Sequence, residues 1–296
     1  MQQLPEWLIK RVPKASNMRK VRELIGDDSI HTVCESASCP NIGECFSKNT
    51  ATFMILGDTC TRACKFCGVE KLSSATYPLY PIPLTRLDSA RRKLDPNEPN
   101  KVALASKKLG SQYIVITSVT RDDLPDQGAG QFILTVQEIR KLLPEAQIEL
   151  LVPDFWADKD IIAKIVHIKP NIFAHNIEMV PSLYGKLRPS SDYFRSLDVL
   201  RTARELDGSL YTKSGFMLGL GEKKDEVIGL MKDLRSVDCN ILTIGQYLQP
   251  SKAQTEVREY IHPDVFAEHK KTAEGLGFKK VISGPFVRSS YRFSEE

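Results

Sequence analysis

The sequence predicts an α/β protein, specifically a partial (β/α)6 barrel of TIM type. Three observations lead there. Short β-branched runs recur from residue 53 to residue 244. Stretches with helical spacing separate them. The order strand–helix–strand then repeats, and such alternation demands right-handed crossovers and a parallel sheet. The chain has 296 residues, 42% of them hydrophobic and 26% charged, which suits one large globular body.

The elements follow in order. Residues 5–25 read as an extended arm with a helical turn at 21–25. Residues 53–56 form the first barrel strand. A polar, proline-containing loop runs on to about Pro99. Helical spacing over 100–109 stops at Gly110. The run Tyr113-Ile-Val-Ile-Thr117 reads as a buried parallel strand. Helix 131–143 leads to strand 148–152, and helix 159–167 to strand 172–175. Helix 193–206 leads to strand 212–218, and helix 225–236 to strand 241–244. Helix 262–275 ends near Gly277, and 281–283 is one more strand. In barrels of this kind, reacting groups gather at the C-terminal ends of the strands.

Composition excludes several classes. The net charge is +4, from 41 basic and 37 acidic residues. That is too small a surplus to argue for nucleic acid, although it suits an acidic protein partner. No apolar run approaches the length of a membrane span. The start of the chain lacks the basic and apolar regions of a secretory signal, so the cytoplasm is expected.

The seven cysteines carry the chemistry. Cys60, Cys64 and Cys67 lie in Cys60-Thr-Arg-Ala-Cys64-Lys-Phe-Cys67, spaced C-x3-C-x2-C. Three thiolates can bind three irons of a four-iron cluster and leave the fourth open to a small molecule. Structural zinc usually takes four ligands in C-x2-C pairs, so three is the wrong count. A second set, Cys34, Cys39 and Cys45, is spaced C-x4-C-x5-C. Pro40 and Gly43 place it on a folded-back loop. A zinc site shared with His31 is the alternative for these cysteines. Cys239 stands alone before an apolar strand and reads as a small buried hydrophobe.

The C-x3-C-x2-C loop, with Phe66 before its last cysteine, resembles the signature of the radical S-adenosylmethionine (SAM) superfamily. The upstream C-x4-C-x5-C set narrows the resemblance to the lipoyl synthase family. Pro5-Glu-Trp7-Leu8, the bridge Asn49-Thr-Ala-Thr-Phe-Met-Ile-Leu-Gly57 and Arg288-Ser-Ser-Tyr291 carry it further. Two departures stand out. Gln127 occupies a position where the family carries Gly, and Ala253-Gln254 stands where a His is usual.

The resemblance implies two 4Fe-4S clusters and SAM. Cys60, Cys64 and Cys67 would hold the SAM cluster. Cys34, Cys39 and Cys45 would hold an auxiliary cluster, with Ser290 as fourth ligand and Ser289 as its alternative. Arg288 could counter cluster charge. Thr117 and Ser118, after the second strand, are expected to bind SAM. Asn176, Glu178 and Lys213 join them at later strands, while Arg188 could face a carboxylate or solvent. Residues 1–50 would be the auxiliary-cluster extension, 51–275 the barrel, and 276–296 a C-terminal segment. The implied reaction inserts two sulfur atoms at carbons 6 and 8 of an octanoyl chain on a lysine. That lysine would belong to an octanoylated lipoyl carrier domain, on a 2-oxoacid dehydrogenase or the H protein of glycine cleavage. An electron donor such as ferredoxin or flavodoxin, and an iron–sulfur cluster carrier, are the other implied partners of a monomer. Another radical SAM sulfur-inserting enzyme, an iron–sulfur electron carrier and a zinc-stabilised binding protein are the alternatives.

Overall fold

A computed structural model describes residues 4–10, 15–26, 29–71 and 94–290. The proline-containing loop expected before Pro99 lies mostly outside these residues, as does Tyr291.

Eight strands form one sheet. In chain order they are β1 (His31–Thr32), β2 (Thr52–Ile55), β5 (Tyr113–Ser118), β6 (Gln147–Leu151), β7 (Ile172–Ala174), β8 (Tyr211–Leu218), β9 (Ile241–Gln246) and β10 (Lys280–Gly284). Each is hydrogen-bonded to the next in that order, all in parallel except β1, which runs antiparallel to β2. The six strands β2 and β5–β9 are the expected partial barrel. Two short strands, β3 (Thr59–Cys60) and β4 (Glu70–Lys71), pair with each other and pinch the cysteine loop between them.

The helices are α1 (Ala15–Ile25), α2 (Val33–Ser36), α3 (Ile42–Ser47), α4 (Glu98–Lys108), α5 (Ala129–Leu142), α6 (Lys159–His167), α7 (Pro181–Leu187), α8 (Tyr193–Leu206), α9 (Lys224–Ser236) and α10 (Pro263–Gly275). Helices α6 and α8 match the sequence reading residue for residue. Their Asp caps explain this. Asp158 accepts from the amides of Asp160 and Ile161, and Asp192 accepts from that of Arg195. Between sheet and helices lie two large apolar clusters, one around Phe53, Phe132 and Phe173 and one around Phe216, Leu242 and Phe266.

The N-terminal region differs from expectation. The arm carries an 11-residue helix rather than a single turn. Met18, Val21 and Ile25 recur at helical spacing, and the last two are buried in the core. Cys34 and Cys45 sit on two short helices, α2 and α3, with Cys39 in the connection between them and Gly43 inside α3. Helix α7 was not foreseen; Pro181 at its first position starts it.

Lys213 is also not where the cofactor assignment would need it. It is the third residue of β8, near the N-terminal end of the barrel. Its ammonium donates to both oxygens of Glu149 at 2.8 and 2.9 Å, and both side chains are 1% exposed. The Tyr113 hydroxyl donates to the same carboxylate. Charges this deep are held by pairing, so Lys213 closes the barrel floor rather than reaching the cofactor. Replacing Glu149 by Ala is expected to cost about 3 kcal/mol, because it leaves a buried ammonium without its carboxylate. The double change Glu149→Leu with Lys213→Met should cost clearly less than the sum of the single changes, measured by urea unfolding.

Candidate cluster site at the barrel mouth

The loop 60–67 leaves the C-terminal end of β2 through Leu56 and Gly57, both at positive φ. Backbone bonds then tie it to three other strand ends. Thr61 N donates to Thr120 O after β5 at 3.0 Å. Lys65 N donates to Leu187 O, beyond β7, at 2.8 Å. Thr255 N, beyond β9, donates to Lys65 O at 2.9 Å. The loop therefore spans the mouth. Cys60 Sγ accepts from the amides of Arg62 and Thr120, both at 3.4 Å. Such amide donors suit a sulfur that carries negative charge.

Arg62, inside the motif, anchors the loop. Its guanidinium is 4% exposed. It forks onto Asp122 at 2.8 and 3.0 Å and onto Asp154 at 2.7 and 2.8 Å. Arg195 adds a bond to Asp154 at 2.8 Å. The Trp156 ring lies against both guanidinium groups, at 4.9 and 4.3 Å. Burial opposes the charge of Asp154, but the bonds and charge of Arg62 outweigh it and hold the carboxyl well below the usual range. Asp122 thus holds the loop through both of its carboxylate oxygens.

The expected SAM residues divide. Thr117 and Ser118 end β5 and Asn176 and Glu178 follow β7, so all four stand at the mouth. Asn176 Nδ2 donates to Glu178 Oε1 at 3.2 Å. Lys213 stands apart, on the barrel floor. Arg188, which the sequence left between surface and site, is buried here. It donates to the Tyr184 hydroxyl at 3.0 Å and to Asn176 O at 3.4 Å. No periodicity marked it, because it follows α7 in a connecting turn. Burial raises the pKa of Glu178, and Arg188 and Asn176 oppose that rise. Burial also raises Cys64, against the pull of Arg188. Gln127 adopts φ 52°, a left-handed conformation that glycine takes without strain, which accounts for glycine at this position in the family.

Three buried polar atoms at this mouth have no hydrogen-bond partner: Ser118 Oγ, His175 Nε2 and Arg188 Nε. Buried polar atoms are ordinarily paired, so these three are open to a polar ligand. The donor set fits iron–sulfur chemistry too. All seven cysteines are free thiols. Burial lifts Cys67 to about 12, with Cys64 and Cys60 adding to the rise. Burial lifts Cys34 to about 12 as well, with Cys39 and Cys45 contributing. Within each set the thiols thus raise one another, and thiolates are soft ligands suited to iron. Among the described residues no three His, Cys, Asp or Glu side chains close to metal-ligating geometry, so the thiols must draw together and shed protons as metal enters. Cys239 is buried within the second apolar cluster and takes no part.

The first set flanks the barrel at the β1 edge. Cys39 N donates to Cys34 O at 3.0 Å, and Cys45 N to Asn41 O at 2.9 Å. Ser289 and Ser290 lie in a turn after β10. Arg288 Nη1 there donates to Gln246 O, at the C-terminal end of β9, at 3.2 Å. That bond fixes the segment to the barrel, in addition to any effect of its charge.

His175 gives a pH signature. Its Nδ1 lies 2.9 Å from Val152 O, and burial lowers its pKa from 6.5 to about 4. The folded state therefore binds this proton less readily than the unfolded chain. Stability is full above pH 6.5 and falls as the pH drops toward 4. From pH 7.5 to pH 5 the loss from this residue is about 2 kcal/mol. Urea unfolding of metal-free protein should show that slope in the parent and lose it in His175→Gln.

The sequence pattern described as "Radical SAM superfamily" matches residues 54–234. The chain is 49% identical to a lipoyl synthase of Caldicellulosiruptor saccharolyticus over 98% of this chain and 96% of that one. It is 46% identical to the lipoyl synthase of Chlorobium limicola, over 99% and 95%. Among solved structures, methylornithine synthase aligns with a TM-score of 0.53 at 14% identity, covering 82% of this chain and 76% of that one, which shows a shared fold. On these grounds the chain belongs to the lipoyl synthase family of the radical SAM superfamily.

Proposed function

We propose that this enzyme inserts sulfur at carbons 6 and 8 of an octanoyl chain amide-linked to a lysine of a lipoyl carrier domain. One observation carries the reading. Two sets of three free thiols, one in the loop over the barrel mouth and one at the β1 edge, lie in a chain alike over nearly its whole length to lipoyl synthases. Unactivated C–H bonds give side chains nothing acidic or electrophilic to attack, so a cofactor must do the bond breaking. Cys60, Cys64 and Cys67 would hold a 4Fe-4S cluster that, with SAM, would supply hydrogen-abstracting radical chemistry, and Cys34, Cys39, Cys45 and Ser290 would hold a second that would supply sulfur.

The chain's own residues bind and orient. Arg62 fixes the loop that presents the three thiolates. Thr117, Ser118, Asn176, Glu178 and Arg188 are assigned to SAM. Ser118 Oγ and Arg188 Nε are the free polar atoms that support this, and Arg188 offers a cation to a carboxylate. The walls of the mouth exclude water from the reacting carbon. Residues 1–50 and 276–296 carry the auxiliary ligands on either side of the barrel at 51–275. The partners assigned are the octanoylated carrier domain, an electron donor of the ferredoxin or flavodoxin kind and a cluster carrier. Among the described residues no helix is long and apolar enough to cross a membrane, and the cytoplasm is the assigned compartment.

The test is anaerobic, with reconstituted protein, SAM, a reductant and an octanoyl-lysyl peptide. Mass spectrometry should show 5′-deoxyadenosine and a peptide that has gained two sulfurs. Cys64→Ala should abolish 5′-deoxyadenosine formation, since it removes one of three anchors. Cys39→Ala should keep SAM cleavage and lose the sulfur-bearing product. Product from the Cys39 variant would sink the donor role of the first set.

A further inference from the structure

Asn41 lies between Cys39 and Cys45, and its side chain is 1% exposed. It occupies the N-cap of α3, where Asn ordinarily accepts from the helix's own free amides. Here it makes no such bond. Its Nδ2 donates instead to Phe286 O at 2.6 Å, 245 positions away in sequence. Its Oδ1 accepts from Lys10 Nζ at 2.5 Å. The Lys10 ammonium also sits 4.3 Å from the centre of the Phe286 ring. The backbone carbonyl of the same Asn41 accepts from Cys45 N. One buried amide thus joins the N-terminal arm, the first cysteine set and the C-terminal segment.

The other side of that segment is fitted as closely. Val287 N donates to Gly284 O at 3.0 Å and closes a turn over β9. A Cβ on Gly245 would stand 2.1 Å from Val287 O, so glycine is what lets the segment lie flat on β9. Arg288 then bonds Gln246 O. Every contact named lies between residues 284 and 288, immediately before Ser289 and Ser290, and none uses a serine hydroxyl.

We propose that Asn41 is a positioning residue, a clasp that holds the serine segment beside the first cysteine set whether or not a serine is bonded to iron there. This rests on the reading of Ser290 as the fourth auxiliary ligand. A hard serine oxygen binds iron–sulfur iron less firmly than thiolate does. The return of a detached serine is intramolecular in any case, and the Asn41–Phe286 bond raises the serine's effective concentration at the cysteine set. The clasp also couples cysteine and serine halves of one site that lie at opposite ends of the chain.

The test compares reconstituted parent, Asn41→Asp, Lys10→Met and Ser290→Ala. Asp caps a helix as well as Asn does, so Asn41→Asp keeps α3 while losing the donor to Phe286 O. Two signals are read: the rate of tryptic cleavage after Arg288, and the Mössbauer signature of the one oxygen-ligated iron. Asn41→Asp should speed cleavage about tenfold, since cleavage follows the open population. It should also weaken the iron signature while SAM cleavage stays within about twofold. Lys10→Met should shift both signals in the same direction by less. Ser290→Ala should abolish the signature and leave the cleavage rate unchanged. An unchanged cleavage rate in Asn41→Asp overturns the clasp while leaving the serine ligand standing. Faster cleavage with an unchanged iron signature also overturns it. A signature that Ser290→Ala does not alter removes the ligand reading and the purpose of the clasp with it.

Discussion

The forked contact of Arg62 with Asp122 and Asp154 is the constraint on which the site depends. The loop 60–67 has no apolar core of its own. Its thiols must nevertheless stand over the barrel mouth, because an open iron is useful only where its ligand can be held. Arg62 converts that requirement into four charge-assisted bonds to the ends of β5 and β6. Asp154 is wholly buried, so its charge is tolerated only while paired. Around it Phe155, Trp156 and Ala157 run through three consecutive positive φ angles, at about 1–2 kcal/mol each for residues other than glycine. The Asp154 side chain accepts from Trp156 N, and the two guanidinium groups hold the ring. Strain at this turn is what brings Asp154 and Trp156 to the same anchor.

The barrel is open, and that too has consequences. β1 and β10 are the two edges of the sheet. The first cysteine set extends from one edge and the serine segment from the other. The Lys10–Asn41–Phe286 contacts bring them together across the gap. A closed barrel would leave no gap between its first and last strands for these contacts to cross. Below, the Lys213–Glu149 pair fills the floor with matched charge, so the polar chemistry of the interior is confined to the mouth.

Much of this was legible in the residues. The spacing of six cysteines divides them into two sets of three, because loops that short can present three sulfurs together. The barrel was legible because buried parallel strands are β-branched runs and the helices between them carry a 3.6-residue period, with Asp caps on α6 and α8. The short helices α2 and α3 of the N-terminal region were not, since four and six residues give too little period to read. Lys213 misled for a related reason. Strand position says which face a side chain takes, but not how high along the barrel its charge will find a partner.

The sequence by itself determined the grouping of the cysteines, the order of elements and the family, all of which depend on local spacing and residue type. Only the tertiary structure decided that Arg188 is buried beside Cys64 and Glu178, that Lys213 serves the floor, and that Asn41 forgoes its own helix for a carbonyl at the far end of the chain. Each of these is a choice among distant partners for a buried polar group. Low dielectric makes that choice costly to get wrong, and nothing local in the chain encodes it.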